Sequence, residues 1–245
     1  MLRTYDPAPR AETMNADGWN HNNHYHDPLI DVVPHGCRRA LDVGCGLGTF
    51  ARKLTARASH VDALDENEAV VQRAREMSRG NERIRFIHAD FMTWDADEPY
   101  DVISMIAVLH HLPYGDALTK AATLLRPGGV LAVVGLHRAR SIVHMGARSL
   151  VAYPVSAFYR LTRPSSRVGA PVRDPTMTLM EIRRDAAALL PGATVTRHLL
   201  WRYSLIWVKP QVSRDGGGSQ PRGAATASWS SSSESPSSSL DVRAT

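Results

Sequence analysis

The chain has 245 residues, 43% of them hydrophobic, and a formal net charge of +5. That is enough to bury a real core as one α/β domain with appendages. Its two cysteines, Cys37 and Cys45, have no Cys or His partners at zinc spacing, which argues against a disulfide framework or a structural metal.

Residues 1–17 are polar with two prolines and read as a flexible N-terminal arm. Met1 to Pro7 has no apolar h-region, so no secretory signal is expected. No apolar run approaches the ~20 residues that cross a bilayer, and a cytoplasmic protein is the expectation. In residues 18–35, His21, His24 and His26 crowd around Trp19 and Tyr25. The 21/24 spacing suits one helical face, but no Asp, Glu or Cys set completes a metal site there. The segment reads as a helix packed beside a sheet edge.

From 40 to 136 apolar runs alternate with helical patterns. Strands are expected at 40–44, 60–64, 84–88, 100–106 and 129–136, and helices at 49–57, 67–79 and 114–125. The second helix carries Ala69, Val70, Ala74 and Met77 at helical spacing. Residues 137–175 break the alternation and hold seven arginines between Arg138 and Arg173, with no Asp or Glu among them. That run is either a solvated basic face or an attraction for an anionic substrate, a membrane surface or nucleic acid. No named nucleic-acid module accompanies it. Thr178-Leu179-Met180-Glu181 fits a capping box opening a helix to Leu190, which Pro191-Gly192 stops. Segments 194–201 and 203–209 have strand composition, separated by Arg202. After Pro210 the Ser/Gly-rich segment 211–245 has too few apolar residues to offset the entropy of ordering and is expected to be disordered.

Strand and helix in alternation predict an α/β, doubly wound Rossmann-like sheet, mostly parallel, with helices on both faces. The ligand crevice then lies at the C-terminal ends of the strands. At the first such end, Asp42-Val43-Gly44-Cys45-Gly46-Leu47-Gly48 runs from strand to helix, so a polar cofactor could approach bare backbone. Asp65 ends the next strand about 20 residues beyond Gly44, where an acid can bind the hydroxyls of an adenosine ribose. The glycine spacing is G-x-G-x-G with Thr49 following, not the G-x-G-x-x-G of a dinucleotide site.

This stretch resembles motif I of class I S-adenosylmethionine-dependent methyltransferases. Tyr100 to Leu112 resembles the "FDV…LHHL" motif of the type 11 and type 12 methyltransferase groups, and Leu125-Arg126-Pro127-Gly128-Gly129 resembles their "LLRPGG" turn. The resemblance implies a seven-stranded sheet in the order 3-2-1-4-5-7-6 with one antiparallel strand, over residues 18–210. It implies that the cofactor is S-adenosyl-L-methionine. Asp42, Gly44, Cys45, Gly46 and Gly48 would hold its methionine end, Asp65 and Glu66 its ribose, and Asp90 with Phe91 its adenine. Ile106 and Ala107 would lie beneath the transfer site. The segment before the first strand would fold over as a lid, with His24 and Tyr25 lining the acceptor pocket, and 137–175 would cap the substrate.

Methyl transfer from a sulfonium is an in-line displacement, so alignment and desolvation are the protein's main tasks. A base is needed only where the acceptor must lose a proton. His110 and His111, at the fourth-strand exit, are the candidate catalytic residues, and His137, ending the fifth strand, is a further candidate at the acceptor. The fourth-strand exit lacks the Asn/Asp-Pro-Pro-aromatic sequence of exocyclic-amine nucleic-acid methyltransferases and the Pro-Cys of cytosine-C5 enzymes. A small-molecule acceptor is therefore expected rather than nucleic acid. An RNA or protein methyltransferase, and a non-catalytic S-adenosylmethionine-binding module, remain alternatives. So does a nicotinamide oxidoreductase, which Thr49 and the Pro-Gly-Gly turn disfavour.

Overall fold

The structure, a computed structural model, describes residues 25–138, 174–198 and 201–211. The expectations for the arm, for His21 and His24, for the arginine-rich run after Arg138 and for the tail after Gln211 lie outside those residues. The elements in chain order are α1 (His26–Asp31), β1 (Cys37–Val43), α2 (Thr49–Leu54), β2 (Ala58–Asp65), α3 (Glu68–Met77), β3 (Ile84–His88) and β4 (Tyr100–Ile106). A 3₁₀ turn (Leu109–His111) leads to α4 (Tyr114–Leu124), β5 (Leu125–Leu136), α5 (Leu179–Leu189), β6 (Thr194–Arg197) and β7 (Arg202–Val208).

The strands form one seven-stranded sheet in the order β3-β2-β1-β4-β5-β7-β6, as the resemblance implied. Pairs from β3 through β5 are parallel, and β7 runs antiparallel to both of its neighbours. The central strand β4 is buried from Tyr100 to Met105 because both faces of the sheet are covered. Side chains alternate between two cores. On β5, Leu131 and Val133 face α4 and α5, packing with Leu118, Ala121, Ile182 and Ala186. Val130, Ala132 and Val134 face the other way, in the core that holds Leu29, Phe50, Leu54 and Val71.

Local chemistry fixes several boundaries. Asn67 caps α3, its side chain accepting from the Val70 amide at 3.2 Å. The predicted capping box is formed at Thr178 and Glu181. Three details differ from expectation. The buried face of α3 is Val70, Val71 and Ala74, and Ala69 is exposed. Helix α2 ends at Leu54 because β2 starts at Ala58 and the chain must turn before it. Arg202 does not separate the last two strands but begins β7, because it pairs with Leu136.

Gly135 shows how tightly the β5–β7 seam is packed. A Cβ there would lie 2.5 Å from the ring of Tyr203, itself 2% exposed. Gly135→Ala is therefore expected to destabilise by about 1–3 kcal/mol through overpacking. Thermal melts of Gly135→Ala, alone and with Tyr203→Leu, check this. The double variant should melt closer to wild type than additivity allows.

The far end of the sheet carries charges that the sequence did not single out. Asp62 is buried and accepts from Tyr100 Oη at 2.7 Å, Arg85 Nε at 2.8 Å and Arg39 at 3.0 Å. Burial raises its carboxyl, but these hydrogen bonds and the Arg85 charge outweigh that and hold it below the usual carboxylate range. Asp101 accepts from the amides of Arg38 and Arg39 and pairs with Arg126. Asp101 lies at the start of β4 and Asp62 midway along β2, and both staple neighbouring strands.

Candidate functional site

The glycine loop is built by close packing. A Cβ on Gly44 would sit 2.5 Å from Val108, and one on Gly48 would sit 2.6 Å from the Phe86 ring. All three loop glycines have positive φ, but a Cβ on Gly46 would meet nothing within 4 Å among the described residues, so that backbone faces open space. Gly44 and Gly48 thus serve packing, whereas Gly46 presents bare peptide to the crevice.

Two acids frame this loop. Asp65 Oδ2 accepts from the Gly46 amide at 2.9 Å, and Oδ1 accepts from the Asn67 amide at 3.0 Å. A carboxylate has about four lone-pair sites, so both oxygens can still take hydroxyl donors. Cys45 donates its amide to the Leu64 carbonyl at 2.8 Å, tying loop to strand tip. Asp42 lies beneath, 2% exposed. Its Oδ1 accepts from Ser104 Oγ at 2.7 Å, and its Oδ2 has no hydrogen-bond partner among the described residues. Burial pushes its carboxyl up to about 7; the Ser104 bond and the nearby Ala51 amide oppose this and the Asp65 charge adds to it.

An orphaned buried carboxylate oxygen, a second acid and open glycine backbone are what a cationic, hydroxyl-bearing cofactor would complement. The residues present therefore fit S-adenosylmethionine, whose sulfonium and ammonium are positive and whose ribose has two hydroxyls. Cys45 contributes backbone only. Its thiol is 8% exposed and is pushed upward by burial and by Asp42 and Asp65, so it stays protonated.

The other expected residues sort by position. Glu66 and Asp90 are exposed, Glu66 just after β2 and Asp90 just after β3, and Asp90 Oδ1 accepts from the Met92 amide at 2.8 Å. His88 Nε2 lies 3.1 Å from the Glu66 carbonyl. Phe91 is 4% exposed and packs in the core beneath α4, with Lys120 Nζ 5.9 Å from its ring centroid. Ile106 and Ala107 end β4 at the crevice, and Ala107 has φ +56. The His110 and His111 rings stand 4.0 Å apart on the 3₁₀ turn.

His137 is 5% exposed. Its Nδ1 lies 3.2 Å from the Arg138 carbonyl oxygen, and its Nε2 has no hydrogen-bond partner among the described residues. Burial first, then the Arg197 and Arg183 charges, lower its pKa, favouring the neutral ring. In the Nδ1–H tautomer that leaves a lone pair on Nε2. Tyr25, the N-cap of α1, packs its ring 5.2 Å from His198. Among the described residues, no group of three or more His, Cys, Asp or Glu could hold a metal.

One residue missed by sequence reasoning braces the loop. Arg52 on α2 donates from Nη1 to the Leu47 carbonyl at 2.8 Å and to Ser78 Oγ at 3.0 Å. The loop is thereby tied to the end of α3. An arginine on a helix after a glycine loop carries no signal of that kind by itself.

A family model described as a methyltransferase domain matches residues 40–129. An uncharacterized methyltransferase of Mycobacterium tuberculosis (strain ATCC 25618 / H37Rv) is 36% identical over 196 residues, covering 78% of this chain and 98% of the relative. The ubiquinone biosynthesis O-methyltransferase of Stutzerimonas stutzeri is 30% identical over 155 residues, 59% of this chain and 66% of that one. Among solved structures, the N-methyltransferase NodS from Bradyrhizobium japonicum WM9 in complex with S-adenosyl-L-homocysteine matches with a TM-score of 0.54 at 17% identity. That match covers 82% of this chain and 95% of NodS.

Proposed function

Because this chain belongs to the class I S-adenosylmethionine-dependent methyltransferases, we propose that its acceptor is a small molecule. The bound cofactor supplies an electrophilic methyl group on a sulfonium. The observation that carries the acceptor class is the fourth-strand exit, Ala107-Val108-Leu109-His110-His111-Leu112, which holds neither a nucleobase-gripping Pro-Pro-aromatic run nor a Pro-Cys nucleophile. The name of the matched O-methyltransferase of ubiquinone biosynthesis supports the same class.

In this reading the backbone of Gly44 to Gly48 and the Asp42 carboxylate bind the methionine end. Asp65 accepts from the ribose hydroxyls with Glu66 alongside, and Asp90 accepts from the adenine amino group. Ile106 and Ala107 form the floor on which the two reactants are aligned, and closing the site excludes water. Where the acceptor keeps its proton until attack, a neutral histidine takes it. His110 and His111 stand at the right strand end, and His137 has the buried Nε2 lone pair.

Transfer of an isotopically labelled methyl group from S-adenosylmethionine into fractionated cell extract tests this. Label in a small-molecule fraction, absent with Asp65→Ala, is the expected result. Label in RNA or protein would replace the acceptor class. Cofactor binding with no transfer to any fraction would favour a binding module.

A further inference from the structure

The loop between β1 and α2 places glycine at every second position, and all three glycines have positive φ. Such a backbone has many states open to it, and fixing one of them costs conformational entropy at every residue. A ligand that had to fix the loop itself would lose affinity by that amount. A loop that presents bare peptide therefore works best when other groups hold it beforehand.

Two charged side chains hold it at successive residues. Asp65 Oδ2 accepts from the Gly46 amide at 2.9 Å, and Arg52 Nη1 donates to the Leu47 carbonyl at 2.8 Å. An anion thus fixes the N–H of one residue and a cation the C=O of the next. The Arg52 guanidinium is itself located by its surroundings. Nη1 also donates to Ser78 Oγ at 3.0 Å, and Nη2 donates to Thr49 Oγ1 at 3.4 Å. A Cβ on Gly48 would lie 3.3 Å from Nη1, so the missing side chain is what lets the guanidinium close on that backbone. Ser78 is the C-cap of α3 and is 8% exposed, so its hydroxyl is held by the core. Asp65 and Ser78 stand on either side of the 10-residue α3, which spans about 15 Å. The loop is clamped to the β2–α3 unit at two separate points.

We infer that Arg52 is a positioning residue for the methionine end of the cofactor: it fixes the Leu47–Gly48 peptide before binding, and so sets the preference for the intact cofactor over nucleosides that lack the amino-acid end. This rests on the methyltransferase reading of the crevice, in which residues 44–48 hold that end. It assigns selectivity to a side chain that acts through the loop backbone. The two clamps then differ in what they control. Asp65 meets the ribose, so its loss weakens every ligand built on adenosine. Loss of Arg52 weakens those that carry the amino-acid end.

Calorimetric titration of the full-length chain with S-adenosylhomocysteine and with methylthioadenosine tests it. The second probe has the adenine, the ribose and the thioether but no amino-acid end. Arg52→Met should weaken S-adenosylhomocysteine at least about tenfold and methylthioadenosine less than about twofold. Arg52→Lys should recover part of the loss, because an ammonium keeps the charge but not the fork that serves carbonyl and hydroxyl together. Ser78→Ala should weaken S-adenosylhomocysteine about threefold, and adding it to Arg52→Met should cost little more, since the hydroxyl acts through the guanidinium. Arg73→Gln, which breaks an exposed pair with Glu76 on α3, should change neither affinity. Hydrogen exchange in the ligand-free chain reads the clamp directly: the amides of residues 44–48 should exchange faster in Arg52→Met, and those of β4 should not. The proposal fails if Arg52→Met weakens both probes alike or neither, or if loop exchange is unchanged. Should Arg52→Met not fold, Ser78→Ala decides, and an equal effect on both probes, or none, overturns the proposal. Where wild type binds S-adenosylhomocysteine alone, loop exchange decides. A wild type that binds neither probe would instead defeat the reading of the cofactor crevice.

Discussion

Asp65→Ala should weaken S-adenosylhomocysteine binding at least 100-fold. The carboxylate does two jobs at one place. It accepts the Gly46 amide at 2.9 Å and the Asn67 amide at 3.0 Å, so it holds the loop in the shape that leaves Gly46 open. On the proposed reading its remaining lone pairs take the ribose hydroxyls. A hydrogen bond to a charged group contributes about 1.5–3 kcal/mol. Losing two to the ribose, less some replacement by water, costs about 3 kcal/mol, which is roughly two decades in affinity. The loop is weakened as well, because two amides lose a charged acceptor. Asp65→Asn separates the effects: it keeps an oxygen for one amide but removes the charge and one acceptor, so its loss should be smaller. Isothermal titration with S-adenosylhomocysteine measures both. An Asp65→Ala affinity within threefold of wild type would remove Asp65 from the ribose site.

The parts of this design that were legible in the sequence are those where local chemistry has one solution. Glycines at 44, 46 and 48 between an apolar strand and a helix, and Thr178 three residues before Glu181, each specify a backbone shape regardless of what packs on it. The sheet order could be carried over because crossover handedness and helix packing leave few ways to arrange alternating strands and helices. The burial of Phe91 was not legible because an aromatic after a strand tip looks the same in sequence whether it turns inward or outward, and here the core beneath α4 takes it. The Asp62 staple with Arg39, Arg85 and Tyr100 joins residues far apart in the chain, so no spacing announces it. Arg202 reads as a break between strands because an arginine in an apolar run resembles a turn. Its pairing with Leu136 makes it the crevice end of a strand instead.

Asp42→Asn should reverse its effect on stability between acid and neutral pH. The carboxyl is raised from 3.8 to about 7 in the folded chain. The native state then holds a proton that the unfolded state releases, so this group's contribution is full below about pH 4 and is lost as pH rises through about 7. Three pKa units correspond to about 4 kcal/mol, an upper value for a fully buried group. Asparagine keeps an oxygen for Ser104 but puts an amide donor where Oδ2 has no partner among the described residues, which costs about 1–3 kcal/mol. At pH 8 removal of the buried charge wins, and the variant should melt higher than wild type. At pH 4 the neutral carboxyl carries one buried O–H donor where the asparagine amide carries two N–H donors, so the variant should melt slightly lower. Equal differences at both pH values would mean that Asp42 does not titrate in this window. The same carboxylate couples to binding. A positively charged ligand favours the ionised form, so S-adenosylhomocysteine, with its ammonium, should bind wild type more tightly as pH rises from about 6 to 8, releasing a proton. Calorimetry in buffers of different ionisation enthalpy reads that proton directly, and Asp42→Asn should bind more weakly with no such release. A more stable protein that binds its cofactor worse would identify the unpartnered oxygen as one kept for the ligand at the expense of the fold.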